Sequence, residues 1–239
     1  MEIIGILCYY IEEMRDVIMP KYYQVYDKRY QQVHAHNISW YSDNPTPMIL
    51  ETINDYHLNQ WDKMLEIGCG EGRDARYLLQ KGFDLIATDV SDEAVGYCVR
   101  RDEKNREAYR VMDVLENDDK NKYDFIYSVA VLQMMVLDED RKSFYSYIRN
   151  HLNEKGMALI LSKGDGEEKY DTGVDVAWQD EDRIHRSGEA MRVARAASRV
   201  VDFDQFLDEL AANKLEVISH GLTNSEPDYP KIMFALVKR

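Results

Sequence analysis

Acidic residues and glycines are spaced along one short stretch as a ligand-binding turn requires. Glu66, Gly68, Gly70 and Gly72 lie within seven residues, and Asp89 follows seventeen residues after the last glycine. Glycine allows the positive φ of a tight turn and lets a ligand approach the backbone closely. A helix after the turn offers unpaired N–H groups and a partial positive charge at its N-terminus. Asp89 could then accept both hydroxyls of a ribose, so the stretch predicts a nucleoside site.

The spacing of the glycines argues against a dinucleotide. Dinucleotide sites use G-x-G-x-x-G, whose third glycine allows the helix to pack closely against the strand. Here the glycines alternate with Cys69 and Glu71, and the carboxylate of Glu66 just before them would repel a pyrophosphate. A Rossmann-like fold with an incidental glycine turn is the alternative interpretation.

The same residues resemble motif I of the class I S-adenosylmethionine-dependent methyltransferases, which reads acid-x-G-x-G-x-G followed by an acid that ends the second strand. Glu66, the three glycines and Asp89 match this motif, and the resemblance extends from about Trp40 to the C-terminus. It implies S-adenosylmethionine as the cofactor and methyl transfer as the activity. The residues implied to bind the cofactor are Trp40, Glu66, Gly68, Cys69, Gly70, Arg73, Asp89, Val90, Met112, Asp113, Val114, Ser128 and Gln133.

Four of these positions take specific roles from the resemblance. Asp113 ends the predicted third strand and matches the acid that accepts the exocyclic amine of adenine. Trp40 and Arg73 are implied to lie near the methionine end, where an aromatic face suits the sulfonium cation. Gln133 falls in residues 130–137, which resemble motif IV. That segment lacks the D/N-P-P-Y/F signature with which amino-methylating DNA enzymes hold a flipped base.

Two histidines are candidates for a general base or a substrate contact. His185 lies between Arg183 and Arg186, whose charges would depress its pKa and keep the imidazole neutral. His36 lies in a predicted loop, where a histidine is more often structural than catalytic. Methyl transfer needs mainly orientation and desolvation, so a base is required only when the nucleophile carries a proton. No metal-binding motif is found in the sequence.

Alternating apolar strands and amphipathic helices must position these residues. The predicted strands cover residues 64–67, 84–88, 107–114, 123–129, 156–162, 215–222 and 232–238. The predicted helices cover residues 22–30, 48–56, 73–80, 92–103, 138–153 and 202–213. Together with the resemblance, this order predicts an α/β fold. It would be a Rossmann-like, seven-stranded, mostly parallel sheet with an antiparallel last strand and helices on both faces.

The chain, residues 1–239, is expected to form a single domain with four parts. Residues 46–162 would form the cofactor-binding core, and residues 202–239 the C-terminal helix and strand pair. Tyrosines at helical spacing predict a helix within residues 1–45, and the resemblance implies that these residues form an N-terminal helical lid over the cofactor. The alternative is a helix packed on the core by its tyrosines. Residues 163–201 are too long for a plain connection and predict a functional insertion. The resemblance implies that this insertion covers the substrate, and a solvated polar excursion is the alternative.

Composition bounds the location and the partners. Lys and Arg number 30 against 44 Asp and Glu, a net charge of −14. Such a surface repels phosphate backbones, so nucleic acid is disfavoured unless a basic patch exists. Cys8, Cys69 and Cys98 form no C-x-x-C pair, which favours a reduced, cytoplasmic protein without a zinc site. The N-terminus is not a convincing signal peptide, and no stretch approaches the ~18–20 apolar residues of a membrane span, so we expect no membrane partner. A monomer and a homodimer both stay open.

The sequence thus predicts a methyltransferase that acts on an O, N or S atom of a small molecule by in-line displacement. One alternative is a thiol- or tellurite-type detoxifying methyltransferase, which the segment GCGEGRDARYL and the Trp40 loop resemble. Another is a catalytically silent, S-adenosylmethionine-binding regulatory protein. A protein or tRNA methyltransferase is disfavoured by the charge and by the missing base-flipping signature. The sequence does not identify the methyl acceptor.

Overall fold

The computed structural model describes residues 21–116, 120–223 and 231–239. The α-helices are α1 (Val25–His34), α2 (Pro47–Asp55), α3 (Arg73–Gln80), α4 (Asp92–Arg101), α5 (Asp138–His151) and α6 (Phe203–Ala212). The strands are β1 (Met64–Ile67), β2 (Leu85–Asp89), β3 (Tyr109–Val111), β4 (Tyr123–Val129), β5 (Leu152–Lys163), β6 (Tyr170–Asp171), β7 (Asp180–Ile184), β8 (Ala190–Ala194), β9 (Arg199–Val200), β10 (Glu216–Thr223) and β11 (Ile232–Lys238). The apolar N-terminal run, Cys8 and residues 224–230 lie outside the described residues.

Seven strands form one sheet in the order β10–β11–β5–β4–β1–β2–β3. Strand β1 pairs in parallel with β2 and β4, whereas β11 runs antiparallel to both β5 and β10. Leu65 and Ile67 of β1 belong to one hydrophobic cluster and Met64 to another, so the sheet is packed on both faces. The predicted Rossmann-like fold with its antiparallel last strand is confirmed.

Several element boundaries agree with the sequence because local signals fix them. Strands β1, β4 and β11 and helix α3 have the predicted bounds. Ser91 caps α4 by accepting a hydrogen bond from the backbone N–H of Ala94 at 3.0 Å. Strand β3 is shorter than predicted, because residues 103–108 form a 3-10 helix. Strand β5 begins four residues early, and its pairing with β4 shifts register after Leu152.

The insertion between β5 and α6 contains two small antiparallel sheets, which the sequence prediction missed. Strand β6 pairs with β9, and β7 pairs with β8 in a hairpin. Strand β7 is short and almost fully exposed, so it carries no apolar alternation that would mark a strand. Its partner β8 buries Met191 and Val193 against Val33 of α1.

Helix α1 and the β7–β8 hairpin are joined by polar contacts as well. The guanidinium of Arg29 on α1 donates to Glu181 Oε1 at 3.2 Å and to the carbonyl oxygen of Ala194. Gln32 accepts a hydrogen bond from the N–H of Ala194 at 2.7 Å. We call α1, residues 35–41 and this hairpin the roof. Within the described part of the chain, no helix is long and apolar enough to cross a membrane.

Candidate active site

A cleft opens at the carboxyl ends of β1, β2 and β4, beneath the roof, and we call it the sheet-end cleft. It contains about 970 Å³ of space free of atoms, solvent at its mouth included, which suits a small-molecule ligand. In an open α/β sheet, ligands bind at this edge. The cleft brings together ten of the residues implied for the cofactor: Glu66, Gly68, Cys69, Gly70, Arg73, Asp89, Val90, Met112, Asp113 and Val114.

The glycine turn between β1 and α3 needs its glycines. Gly68 and Gly70 have φ values of 74° and 52°, in the left-handed region that other residues rarely adopt. A Cβ on Gly68 would collide with the side chain of Val131, and one on Gly70 would lie 2.6 Å from the hydroxyl of Tyr30. The backbone of the turn is therefore bare toward the cleft.

Asp89 closes the glycine turn from the end of β2. Its carboxylate accepts the N–H of Gly70 at 2.8 Å and the N–H of Ser91 at 3.0 Å. Burial raises the pKa of Asp89, and these backbone N–H groups partly oppose that rise. Each carboxylate oxygen has a second lone pair, so Asp89 can also accept hydroxyl groups from a ligand in the cleft.

Asp113 lines the cleft just after the end of β3. It accepts hydrogen bonds from the hydroxyl of Tyr23 at 2.8 Å and from the N–H of Leu115 at 3.0 Å. The ammonium of Lys21 lies 3.7 Å from the same carboxylate. Asp113 therefore anchors the residues that lead into α1 and presents an acceptor to the cleft.

Glu66 is a buried carboxyl at the end of β1. The hydroxyl of Tyr127 donates to Glu66 Oε2 at 3.1 Å. Burial and the nearby charge of Asp74 raise the pKa of Glu66 to about 8, although the Tyr127 hydrogen bond opposes the rise. At neutral pH this carboxyl is mostly protonated unless a cation lies beside it. The repulsion of pyrophosphate expected from the sequence is therefore weaker than a fixed charge would give.

Tyrosines from the roof side form one wall of the sheet-end cleft. Tyr23, Tyr26 and Tyr30 come from α1 and the turn before it, and Tyr41 comes from the segment after it. Burial raises the pKa of Tyr26 and Tyr30 above the usual value, so both hydroxyls stay protonated. Aromatic faces and neutral hydroxyls of this kind suit a sulfonium cation.

Glu71 in the glycine turn holds the roof in place, a role that the sequence reasoning missed. Its carboxylate accepts the N–H groups of Trp40 and Tyr41 at 2.7 and 3.0 Å. It also lies 2.9 Å from Nε2 of His34, whose Nδ1 lies 2.8 Å from Glu93. Burial lowers the pKa of His34, but the two carboxylates outweigh burial and raise it. The only signal in the sequence was an acid inside the turn.

A second cavity adjoins the first, and we call it the insertion pocket. It contains about 1340 Å³ of space free of atoms, open solvent included, and is lined largely by residues 163–198. Tyr26, Tyr41 and Met134 line both cavities. The two cavities therefore adjoin at these three side chains.

Three residues implied for the cofactor lie outside the sheet-end cleft. Trp40 and Gln133 line the insertion pocket instead. The guanidinium of Arg29 stacks on the Trp40 ring, 4.9 Å from its centroid, and Gln133 bridges the carbonyl oxygen of Ala130 and the N–H of Lys163. Ser128 is buried in β4 and lines neither cavity.

The two candidate bases differ in position. His185 lines the insertion pocket, but both ring nitrogens are engaged. Its Nε2 lies 2.9 Å from the carbonyl oxygen of Ser39, and its Nδ1 lies 2.8 Å from the hydroxyl of Ser187. A general base would have to release one of these contacts. His36 lines neither cavity and lies 2.5 Å from Glu189 on the surface.

The residues of the sheet-end cleft fit S-adenosylmethionine. Asp89 and Asp113 are acceptors for the hydroxyls and the amine of an adenosine, and the glycine turn leaves room for its backbone contacts. The lining includes five acids, Glu66, Glu71, Asp74, Asp89 and Asp113, against one cation, Arg73. Even with Glu66 protonated, four acids stand against one cation, which suits a ligand that carries positive charge on both its sulfonium and its ammonium.

Comparison with known proteins agrees with this geometry. Residues 65–158 match the family described as "Methyltransferase domain". The "Probable S-adenosyl-L-methionine-dependent methyltransferase TehB" of Haemophilus influenzae is 29% identical over 103 residues, 42% of this chain and 35% of that protein. The "Ubiquinone biosynthesis O-methyltransferase" of Rickettsia bellii is 26% identical over 131 residues, 53% of this chain and 52% of the relative. The chain thus spans roughly a third to a half of the length of these curated relatives.

A solved structure supports the fold over most of the chain. An S-adenosylmethionine-dependent methyltransferase from Clostridium acetobutylicum superposes with a TM-score of 0.62 over 87% of this chain and 95% of that chain, at 18% identity. At this identity the likeness concerns the fold, while the matched domain and the curated relatives concern the family. Residues 65–158 thus match a methyltransferase domain, and the chain is similar in sequence and in fold to S-adenosylmethionine-dependent methyltransferases, whose cofactor the residues of the sheet-end cleft fit.

Proposed function

We propose that the protein methylates a small molecule, with the cofactor in the sheet-end cleft and the methyl acceptor in the insertion pocket. The observation that carries this proposal is the wall that the two cavities share, Tyr26, Tyr41 and Met134. Donor and acceptor must meet in line for a displacement. Two adjoining cavities, one lined by the matched motif and one by the insertion, satisfy that requirement.

Each cavity has a distinct part in this mechanism. In the sheet-end cleft, Asp89 and Asp113 would hold the ribose and the adenine, and the tyrosines would surround the reacting centre. The bound cofactor supplies an electrophilic methyl group on a sulfonium. In the insertion pocket, the roof would exclude water and orient an O, N or S nucleophile toward the shared wall. His185 as a general base stays a prediction, because its nitrogens are engaged with Ser39 and Ser187.

Calorimetry tests the cofactor site first. We expect S-adenosylmethionine and S-adenosylhomocysteine to bind and NAD not to bind. Binding of NAD alone would instead indicate a dehydrogenase. Transfer of labelled methyl groups into a fractionated metabolite mixture then tests the acceptor, with labelled tRNA and total protein as separate arms. Methylation of either macromolecule and of no metabolite would contradict the proposal.

Two alternatives give different results in the same experiments. A catalytically silent regulatory protein would bind both adenosyl ligands and transfer no methyl group to any fraction. A thiol- or tellurite-type detoxifying enzyme would accept a small polarisable nucleophile. The large polar insertion pocket is poorly suited to such a substrate, because a soft nucleophile of that size uses few fixed polar contacts.

A further inference from the structure

The insertion pocket concentrates positive charge in a chain that is strongly acidic. Residues 163–201 contain nine acidic and seven basic residues, so the segment itself has no basic bias. The lining of the pocket nevertheless includes five cations, Arg29, Lys163, Arg183, Arg186 and Arg195, and one carboxylate, Glu181. Folding has therefore turned cationic side chains of the insertion toward one cavity.

The single carboxylate cannot neutralise this lining. Glu181 Oε1 lies 3.2 Å from the guanidinium of Arg29 and 2.9 Å from that of Arg183, so two cations share one acid. The ammonium of Lys163 contacts the neutral hydroxyl of Tyr170 at 3.0 Å. Arg195 has no carboxylate within ion-pair distance among residues 21–116, 120–223 and 231–239. Among the described residues, and with Arg186 left aside, four cations of the lining thus stand against one carboxylate.

Two residues that line the pocket contain buried donors without partners among the described residues. Arg29 is 5% exposed and lines the pocket, yet its Nε has no hydrogen-bond partner within the described part of the chain. The hydroxyl of Ser198, which also lines the pocket, is buried and has none there either. A buried donor without a partner is costly, and a ligand that accepts hydrogen bonds would remove that cost.

The remaining walls are apolar and aromatic. Trp40, Tyr41, Met134, Ile184 and Met191 line the pocket between the cationic side chains. Surfaces of this kind favour a ring or another flat apolar body, and tyrosine and tryptophan rings stack well on such groups. The ligand that matches both features has an apolar part and an anionic part.

We propose that the acceptor is a small molecule that carries an oxyanion, a carboxylate or a phosphate, on an apolar or aromatic body. Arg195, Lys163 and Arg183 would bind the oxyanion, and the aromatic walls would hold the body with its nucleophile toward Tyr26, Tyr41 and Met134. The oxyanion anchors the acceptor and need not be the atom that is methylated. This inference rests on the proposed function, because it identifies the substrate class of the same pocket.

Ligand-observed NMR on protein saturated with S-adenosylhomocysteine tests the anion preference. The probes are benzoate and phenyl phosphate, with benzamide and phenol as their neutral counterparts. We expect each anion to bind at least about tenfold more tightly than its neutral counterpart, because one charge-assisted hydrogen bond contributes that much. The affinity for the anions should fall as the salt concentration rises. The tighter of the two anions identifies carboxylate or phosphate as the preferred group.

Variants locate the binding to this pocket. Arg195→Ala removes the guanidinium and keeps the backbone hydrogen bonds of residue 195 with Trp178 and Gln179. It should weaken anion binding about tenfold or more, and Lys163→Ala should also weaken anion binding. Arg192→Ala is the matched control, because Arg192 is exposed on β8 and lines neither cavity. It should change anion binding less than about twofold, as expected for a surface substitution.

Three results would overturn the inference: no anion binding, equal binding of the neutral counterparts, or no effect of Arg195→Ala. Displacement of phenyl phosphate by tRNA would overturn its small-molecule part. S-adenosylhomocysteine affinity is measured calorimetrically in every variant. If that ligand does not bind to the wild type, the proposed function fails; if it binds and the anions show no preference, only the substrate class fails.

Discussion

The sheet-end cleft and the insertion pocket share a wall but differ in charge and in origin. The cleft has five acids and one cation in its lining, and the pocket has five cations and one acid. Eight of the residues that line the cleft come from the one stretch 66–74, which contains the glycine turn. Residues far apart in the chain, from Tyr26 to Ser198, supply the pocket. The contrast suits a positively charged donor on one side and a negatively charged acceptor on the other.

The largest expected effect is a loss of cofactor affinity in the sheet-end cleft. Asp89→Ala should weaken S-adenosylhomocysteine binding by ~2–4 kcal/mol, because two hydrogen bonds to a charged group are lost. Benzoate and phenyl phosphate binding to the insertion pocket should stay unchanged. Calorimetry measures the first and NMR titration the second. Asp84→Ala is the control, since Asp84 is exposed at the other end of β2. Equal affinity in both variants would contradict the motif assignment.

Glu71 tests whether both cavities depend on one attachment of the roof. Glu71→Ala removes the acceptor for two N–H groups and for His34, so the free energy of unfolding should fall by ~2–3 kcal/mol. Denaturant titration measures this change. Glu71→Gln keeps part of the acceptor capacity and should lose less. The exposed Glu107 is a control, and its replacement by Ala should have no measurable effect. A similar loss for Glu107→Ala would argue against a special role of Glu71.

A double substitution tests how closely the roof approaches the glycine turn. Gly70→Ala should weaken S-adenosylhomocysteine binding and stability by about 2 kcal/mol, since the residue has φ 52° and its Cβ would lie 2.6 Å from the Tyr30 hydroxyl. Adding Tyr30→Phe removes that hydroxyl and should restore about half of the stability. Thermal unfolding of the two single variants and the double variant measures this. Strictly additive losses would mean that the two side chains do not meet.

Glu66, in the sheet-end cleft, makes the free energy of unfolding depend on pH. Its pKa in the folded protein, about 8, exceeds the ordinary value of 4.5, so the folded state binds this proton more tightly than the unfolded state. Its contribution to stability is therefore full below about pH 4.5 and is lost as pH rises through about 8. The slope is at most about 1.4 kcal/mol per pH unit.

Glu66→Gln should remove this slope from the free energy of unfolding. Denaturant titrations of wild type and variant at pH 5, 6.5 and 8 measure it. The free energy of unfolding of the variant should rise relative to that of the wild type as pH rises. Parallel pH profiles for the two proteins would show that Glu66 ionises normally.

The smallest effects separate the two histidines. His185→Ala should lower the free energy of unfolding by about 1 kcal/mol, because its ring links the hairpin to Ser39. S-adenosylhomocysteine affinity should not change. His36→Ala should change stability by less than about 0.5 kcal/mol, as its pair with Glu189 is exposed. If acceptor turnover is later measured, a loss of about 10²-fold or more for His185→Ala would restore the general-base role.

The part of the site that could be predicted from the sequence is the part built from neighbouring residues. The glycine turn, Asp89 and Asp113 all line the sheet-end cleft, because consecutive strands of a parallel sheet deliver their carboxyl ends to one edge. The tyrosines of α1 were also visible, since their helical spacing sets one face. The role of Glu71 was missed, because no local sequence pattern shows that His34 and the N–H groups of residues 40 and 41 contact its carboxylate.

The sequence by itself determined the fold, the similarity to methyltransferases and the glycine turn, because the apolar periodicity, the helix caps and the glycine spacing are local properties. Only the tertiary structure decided the second cavity. Trp40 and Gln133 line the insertion pocket, and Arg29 pairs with Glu181, which lies 152 residues away in the chain. Acids and cations are nearly balanced along the insertion, and four of its seven cations, Lys163, Arg183, Arg186 and Arg195, line one cavity in the folded chain, where β7 and β8 pair and pack on α1. A pocket assembled from distant segments has no local spacing of residues in the sequence from which it could be predicted.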